Sequence, residues 1–326
     1  MKRLAITMGD PGGIGPEIIV KALSCTSSRD CFSTVVIGDR VPLEEALRLL
    51  KAPAKLRIIR SPEESNLIPS GRAIELIDMK MIKKYKKGKP TAEGGRASVN
   101  YIKKAVDLIL KKQVDGIITA PISKESWKIS GFKWPGHTEL LAELTYTKDY
   151  AMMLIGGPLK VILVTIHTPL KKIPLLITED RILKTIRLTK KACHMLGIKR
   201  PRIAVAGLNP HAGEAGLFGD EEIREIIPAI KKAKREGIPV SGPYPPDTVF
   251  HKAYIGEFDI IVCMYHDQGL IPLKMVAFNE GVNVTVGLPF IRTSPDHGTA
   301  YDIAWKGIAN PSSMIEAIKL AARLRL

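Results

Sequence analysis

Long apolar runs are missing from this chain of 326 residues. Nothing in it approaches the roughly 18 consecutive apolar residues of a membrane helix. The opening Met-Lys-Arg-Leu-Ala-Ile-Thr-Met-Gly-Asp-Pro breaks too early for the apolar core of a signal peptide, so no membrane partner is expected. Cysteine is scarce. Cys25, Cys31, Cys193 and Cys263 form no CxxC pair, which argues against a disulfide framework and for reduced thiols in a cytoplasmic protein. Aromatics make up only 6% of the chain, and no nucleic-acid module is present, so no nucleic-acid partner is expected. Acidic residues are outnumbered, leaving a net charge of +16. Much of that charge clusters at Lys80, Lys83, Lys84, Lys86, Lys87 and Lys89, and again at Lys231, Lys232, Lys234 and Arg235. Such clusters read first as solvated surface; a second reading is long-range attraction of anionic substrate and cofactor.

Short β-branched runs alternate with helical patterns along the whole chain. The runs predict strands over 4–8, 34–37, 116–119, 152–155, 161–166, 203–208, 260–265 and 282–286. Helical spacing predicts helices over 16–23, 43–50, 97–111, 140–144, 181–196, 221–235 and 311–324. Gly156, Gly157 and Pro158 make a hairpin-like break between two of the strands. This alternation specifies a doubly wound α/β architecture.

Three strand-like runs end in histidine: His167, His211 and His266. The ligand crevice of an open α/β sheet lies at the carboxyl ends of its strands. Each histidine alone would cap a strand and bond locally. Three in the same structural position point to a shared site, and neutral imidazole is the commonest metal ligand. A glycine loop, Met8-Gly9-Asp10-Pro11-Gly12-Gly13-Ile14-Gly15-Pro16-Glu17, follows the first strand and opens the first helix. It lacks the third glycine of the dinucleotide fingerprint and the Gly-Lys-Ser/Thr of a P-loop. A tight structural turn and a phosphate cradle at a helix N-terminus both remain open readings.

Taken in order, the motifs resemble the 4-hydroxythreonine-4-phosphate dehydrogenase family of pyridoxal phosphate biosynthesis. They are Met-Gly-Asp-Pro-Gly-Gly-Ile-Gly-Pro-Glu, Pro-Gly-His137-Thr138-Glu, Asn-Pro-His211-Ala-Gly-Glu, Tyr-His266-Asp-Gln-Gly and Gly-Leu-Pro-Phe-Ile-Arg292-Thr-Ser-Pro-Asp-His297-Gly-Thr-Ala-Tyr-Asp. The tail from His297 to Asn310-Pro is also similar to the cofactor-side segment of isocitrate and isopropylmalate dehydrogenases. The resemblance implies their fold, two α/β/α subdomains with a cleft between them, approximated as 1–130 plus 292–326 and 131–291.

Roles follow from that resemblance. It makes His167, His211 and His266 ligands of a divalent metal at the interface of a homodimer. His137, Thr138, Lys274, Asn283 and Arg292 match substrate-binding positions, where Lys274 and Arg292 suit a phosphate and a carboxylate. Gly298, Thr299 and Asn310 are expected near NAD or NADP. The implied activity is oxidation of 4-phosphohydroxy-L-threonine to 2-amino-3-oxo-4-phosphooxybutanoate, which decarboxylates to 3-amino-2-oxopropyl phosphate. Asp247, Asp267 and Lys124 are the candidates for proton transfer. Asp247 could equally cap a helix, and Asp267 could orient an imidazole. Three imidazoles favour zinc or cobalt by softness, while the family also implies magnesium. Gly12-Gly13 stands where Ala-Gly is common in the family. That departure keeps open a sister reading, a D-threonate or D-erythronate 4-phosphate dehydrogenase. A phosphate acyltransferase is a remoter alternative.

Overall fold

The computed structural model describes residues 1–24, 32–65 and 72–326. They form two compact units, Met1–Thr147 with Leu288–Arg323, and Lys148–Gly287 with Leu324–Leu326. The chain enters the first unit through β1 (Lys2–Thr7), α1 (Gly15–Ser24), β2 (Phe32–Gly38), α2 (Arg40–Leu49), β3 (Lys55–Ile58) and β4 (Ala73–Asp78). It continues through α3 (Ala92–Leu110), β5 (Gly116–Thr119), α4 (Lys124–Ile129) and α5 (His137–Leu144). The first unit extends to 147 rather than 130. Trp127 is fully buried and its ring meets those of Trp134 at 6.4 Å and His137 at 6.0 Å, which ties α5 to α4.

The second unit holds β6 (Ala151–Gly156), β7 (Leu159–Leu163), α6 (Ile173–Leu176), α7 (Glu179–Met195) and β8 (Ile203–Ala206). Then come α8 (Ile227–Arg235), β9 (Val240–Tyr244), α9 (Pro246–Tyr254), β10 (Ile260–Cys263), α10 (His266–Ala277) and β11 (Val282–Val286). Its strands run in the order β11-β6-β7-β10-β8-β9. The pairs β11·β6 and β6·β7 are antiparallel and the others parallel. Gly157, at φ +54, closes the β6–β7 hairpin, which suits a residue without Cβ.

The chain returns to the first unit as β12 (Ile291–Pro295) and α11 (Ser312–Arg323). Six parallel strands then run β3-β4-β2-β1-β5-β12. All four residues of β5 are buried, as expected of a parallel strand with both faces covered. Thr91 caps the N-terminus of α3 by accepting the Gly94 N–H at 3.0 Å, the arrangement that N-cap threonine favours.

Three predicted strands stop earlier than the apolar pattern suggests, at Leu163, Ala206 and Cys263. The Gln268 side chain accepts the Met264 N–H at 2.7 Å and donates to the Gly207 carbonyl at 2.7 Å. His266 therefore opens α10 instead of ending β10. The helix predicted over 221–235 is divided into a π turn, Glu222–Ile226, and α8. Pro228, in the first turn of α8, lacks the N–H that a continuous α-helix would use there. Cys193 and Cys263 are buried free thiols, whereas Cys25 and Cys31 lie outside the described residues. No helix among the described residues is long and apolar enough to cross a membrane.

Candidate active site

In the second unit, the segment after β7 carries His167 beside the start of α10. Thr165 fixes it there, its N–H and Oγ1 donating to the Met264 carbonyl at 3.1 and 2.7 Å. The His167 and His266 rings consequently stand with centroids 5.5 Å apart. Asp267 Oδ1 lies 2.6 Å from His266 Nδ1, which leaves Nε2 as the nitrogen open to a ligand. A carboxylate on one ring nitrogen fixes tautomer and ring orientation, so Asp267 orients an imidazole. Among the described residues, no three His, Cys, Asp or Glu side chains gather closely enough to hold an ion. His211 stands apart from the pair, its ring 6.1 Å from that of Phe218. The donor chemistry of paired imidazoles fits a borderline divalent ion.

His211 opens a left-handed turn. His211, Ala212, Gly213, Glu214 and Ala215 all have φ between 42 and 80°. For residues with a Cβ this conformation costs about 1–2 kcal/mol each. Asp247 is exposed in the first turn of α9, where its carboxylate complements the helix dipole. Lys274 of α10 lies 5.9 Å from the Phe278 ring. Asn283 of β11 keeps a buried Oδ1 that has no hydrogen-bond partner among the described residues.

The first unit buries a cation, Arg292. This β12 residue is 2% exposed, and its Nη2 and Nε donate to Thr119 Oγ1 at 2.6 and 3.2 Å. Burial pushes its pKa down to about 10, with the Glu139 charge opposing. His137, the first residue of α5, donates to the Ala120 carbonyl, and its buried Nε2 has no partner among the described residues. Burial, then the charges of Arg292 and Lys124, hold this imidazole well below its ordinary pKa and therefore neutral. An unpaired buried acceptor is costly unless a ligand completes it. Thr138 is buried beside it, and Lys124 is exposed at the start of α4. His137, Lys124 and Arg292 are thus brought together; Lys274 and Asn283 belong to the second unit.

A family model described as "Pyridoxal phosphate biosynthetic protein PdxA" matches residues 30–321. This chain belongs to the PdxA family. A 4-hydroxythreonine-4-phosphate dehydrogenase of Desulforapulum autotrophicum is 48% identical over 98% of this chain and 94% of its own length. A D-threonate 4-phosphate dehydrogenase of Salmonella typhimurium is 48% identical over 99% of both. The crystal structure of a 4-hydroxythreonine-4-phosphate dehydrogenase from Klebsiella pneumoniae superposes with a TM-score of 0.91 at 47% identity, covering 99% of this chain and 97% of that one.

The glycine loop of this PdxA chain is occupied by its own tail. Ile14 N–H donates to the Thr299 carbonyl at 3.0 Å, and a Cβ on Gly13 would stand 2.9 Å from that of Thr299. Glu17 accepts the N–H groups of Trp305 and Gly307 at 2.5 and 2.7 Å. Lys21 donates to the Gly307 and Ala309 carbonyls at 2.8 and 2.6 Å. Of the tail residues expected near the dinucleotide, Gly298 faces open space, whereas Thr299 packs on Gly13 and Asn310 Oδ1 accepts the Ser312 N–H at 2.9 Å. The loop is therefore a clasp for the tail.

Sequence reasoning passed over Asp10, Glu17, Ser126 and Tyr301. Asp10 is wholly buried, and burial raises its carboxyl pKa. It accepts from Gly12 N–H at 2.8 Å and Ser126 Oγ at 2.7 Å, with Tyr301 Oη 3.3 Å from the same Oγ. A carboxylate inside a glycine loop, and another buried at a helix start, were the available signals.

Proposed function

We propose that this chain is a metal-dependent, nicotinamide-linked dehydrogenase that oxidises 4-phosphohydroxy-L-threonine in the cytoplasm, within pyridoxal phosphate synthesis. The observation that carries the reading is the buried pairing of a cationic Arg292 with a neutral His137 whose acceptor nitrogen is vacant. Family membership supports the reaction class. Arg292 offers a desolvated guanidinium to the phosphate or carboxylate of the substrate. His137 Nε2 accepts a hydrogen bond from its hydroxyl or ammonium, and Thr138 adds a neutral contact. The resemblance also gives Lys274 and Asn283 of the second unit substrate-binding roles.

His167, His211 and His266 would hold zinc, cobalt or magnesium, which supplies Lewis acidity to the alcohol oxygen, and the tail at Gly298 would hold NAD or NADP as hydride acceptor. Asp267 keeps His266 oriented. Asp247, exposed at its helix start, and Lys124, next to His137, are the groups available to move the alcohol proton. The product ketone stands β to the carboxylate, so the electrons of the breaking C–C bond pass into the carbonyl as carbon dioxide leaves.

A homodimer is supported by an exposed apolar stripe on α10 and the residue that caps its C-terminus. Ile271, Met275 and Phe278 are 61, 84 and 76% exposed, which on a soluble protein marks an interaction surface. The metal centre would lie at the interface of that homodimer.

The Salmonella relative favours a second reading, D-threonate 4-phosphate, at the same identity. Nicotinamide reduction with each substrate, with and without chelator, tests both. Reduction with the amino acid that is lost on chelation supports the first, and preference for the sugar acid supports the second. Silence on both substrates refutes the dehydrogenase reading.

A further inference from the structure

Left-handed residues ordinarily occur singly, and Ala and Glu have no local preference for that conformation, so a tertiary partner must impose the run over residues 211–215. Glu222 is placed to do so. It is 2% exposed and begins the π turn before α8, a distortion that aims a side chain away from the regular helix path. Its Oε1 accepts the N–H groups of Leu208 and Asn209 at 2.7 and 2.8 Å, and its Oε2 accepts from Asn209 Nδ2 at 2.9 Å. The turn is moulded closely on this carboxylate. A Cβ on Gly213 would stand 2.7 Å from Oε2, and one on Gly207 would meet Oε1 at 3.1 Å and Ala212 Cα at 2.8 Å.

We propose that Glu222 is the positioning residue of the His211 turn, its buried carboxylate shaping residues 207–215 so that the His211 imidazole is presented to a divalent ion. This rests on the reading of His211 as a ligand. Glu222 acts through the two backbone N–H groups and the amide that precede Pro210. A residue that merely held the unit together would weaken every function of the fold equally. A residue that acts through His211 loses its influence once that imidazole is gone.

The test is a double-mutant cycle on the full chain, read as zinc affinity by competition with a chromophoric chelator, without substrate or dinucleotide. Glu222→Ala is expected to weaken zinc binding about 10–100-fold, the range for partners that orient a ligand. Glu222→Gln should cost less, because its amide oxygen still accepts from Leu208 and Asn209. In a His211→Ala background, neither change should weaken zinc further. Unaltered affinity in a folded Glu222→Ala chain, or equal weakening in both backgrounds, overturns the proposal. Should Glu222→Ala fail to fold by circular dichroism, Glu222→Gln carries the same comparison. If His211→Ala alone leaves zinc affinity unchanged, the ligand reading fails and the proposal falls with it, a result distinct from failure of Glu222 alone.

Discussion

Glu17 and Trp305 are 288 positions apart in the chain, yet the Glu17 carboxylate accepts the Trp305 N–H at 2.5 Å. The same carboxylate takes the Gly307 N–H. The first helix thereby fixes the tail that holds Gly298 and Thr299. Glu17→Ala strands two N–H groups, each worth about 1–3 kcal/mol when buried and unpaired. We expect a lower urea midpoint and weaker NAD binding by fluorescence titration, with zinc affinity unaltered. Undiminished NAD binding in a folded variant would remove the tail from the cofactor site.

Arg292 is buried against Thr119, and in the proposed role its removal would leave the anionic group of the substrate without a desolvated cation. Arg292→Ala should weaken substrate binding by about 2–5 kcal/mol, the range for truncating one partner of a buried charge pair. Arg292→Lys keeps the charge but loses the planar fork, and its loss should be smaller. Initial rates over a range of substrate concentration would show the effect in KM; an unchanged KM in both variants would place the substrate elsewhere.

The sequence made some of this legible and hid the rest, for physical reasons. The strand over 282–286 is read correctly because its three valines alternate with Asn283 and Thr285 at the period of a strand. β3 and β4 escape notice: Lys55-Leu-Arg-Ile is a mostly exposed edge strand, and Ala73–Asp78 interleaves Glu75 and Asp78 with its apolar residues. The nearness of His167 to His266 is only partly legible: both follow apolar runs, but β7 and β10 stop at Leu163 and Cys263, and His266 opens α10. The left-handed turn at His211 is not legible, since Glu222 imposes it from 11 positions on in the chain. Arg292 and His137 are visible only as motif residues. Their burial, which gives them their chemistry, depends on β5 and β12 lying side by side.

Asp267 lies 2.6 Å from His266 Nδ1 in a partly exposed setting. Replacement by Asn removes the carboxylate that favours one ring tautomer. Asp267→Asn should weaken zinc affinity by roughly 10-fold or more, while Asp247→Asn leaves it unchanged and lowers turnover. Zinc competition and steady-state rates on both variants separate orientation from proton transfer. If Asp247→Asn instead weakens zinc and Asp267→Asn does not, the two roles are exchanged.

His137 gives the chain a distinctive response to acid. Its pKa in the folded state lies well below the ordinary 6.5, so below pH 6.5 the unfolded state binds the proton that the folded state refuses. Stability should therefore be unaffected by this group above about pH 6.5 and should fall as pH drops beneath it, by up to about 1.4 kcal/mol per pH unit. His137→Asn removes the titrating group while retaining an amide that can donate to the Ala120 carbonyl. Urea midpoints at pH 7.5 and 5.5 provide the check. The unaltered chain should lose more stability between the two than the variant does, and the difference should persist at high salt because desolvation causes most of the shift. Equal losses in both chains would mean that the imidazole is protonated within the fold, and that Nε2 donates to the substrate rather than accepting from it.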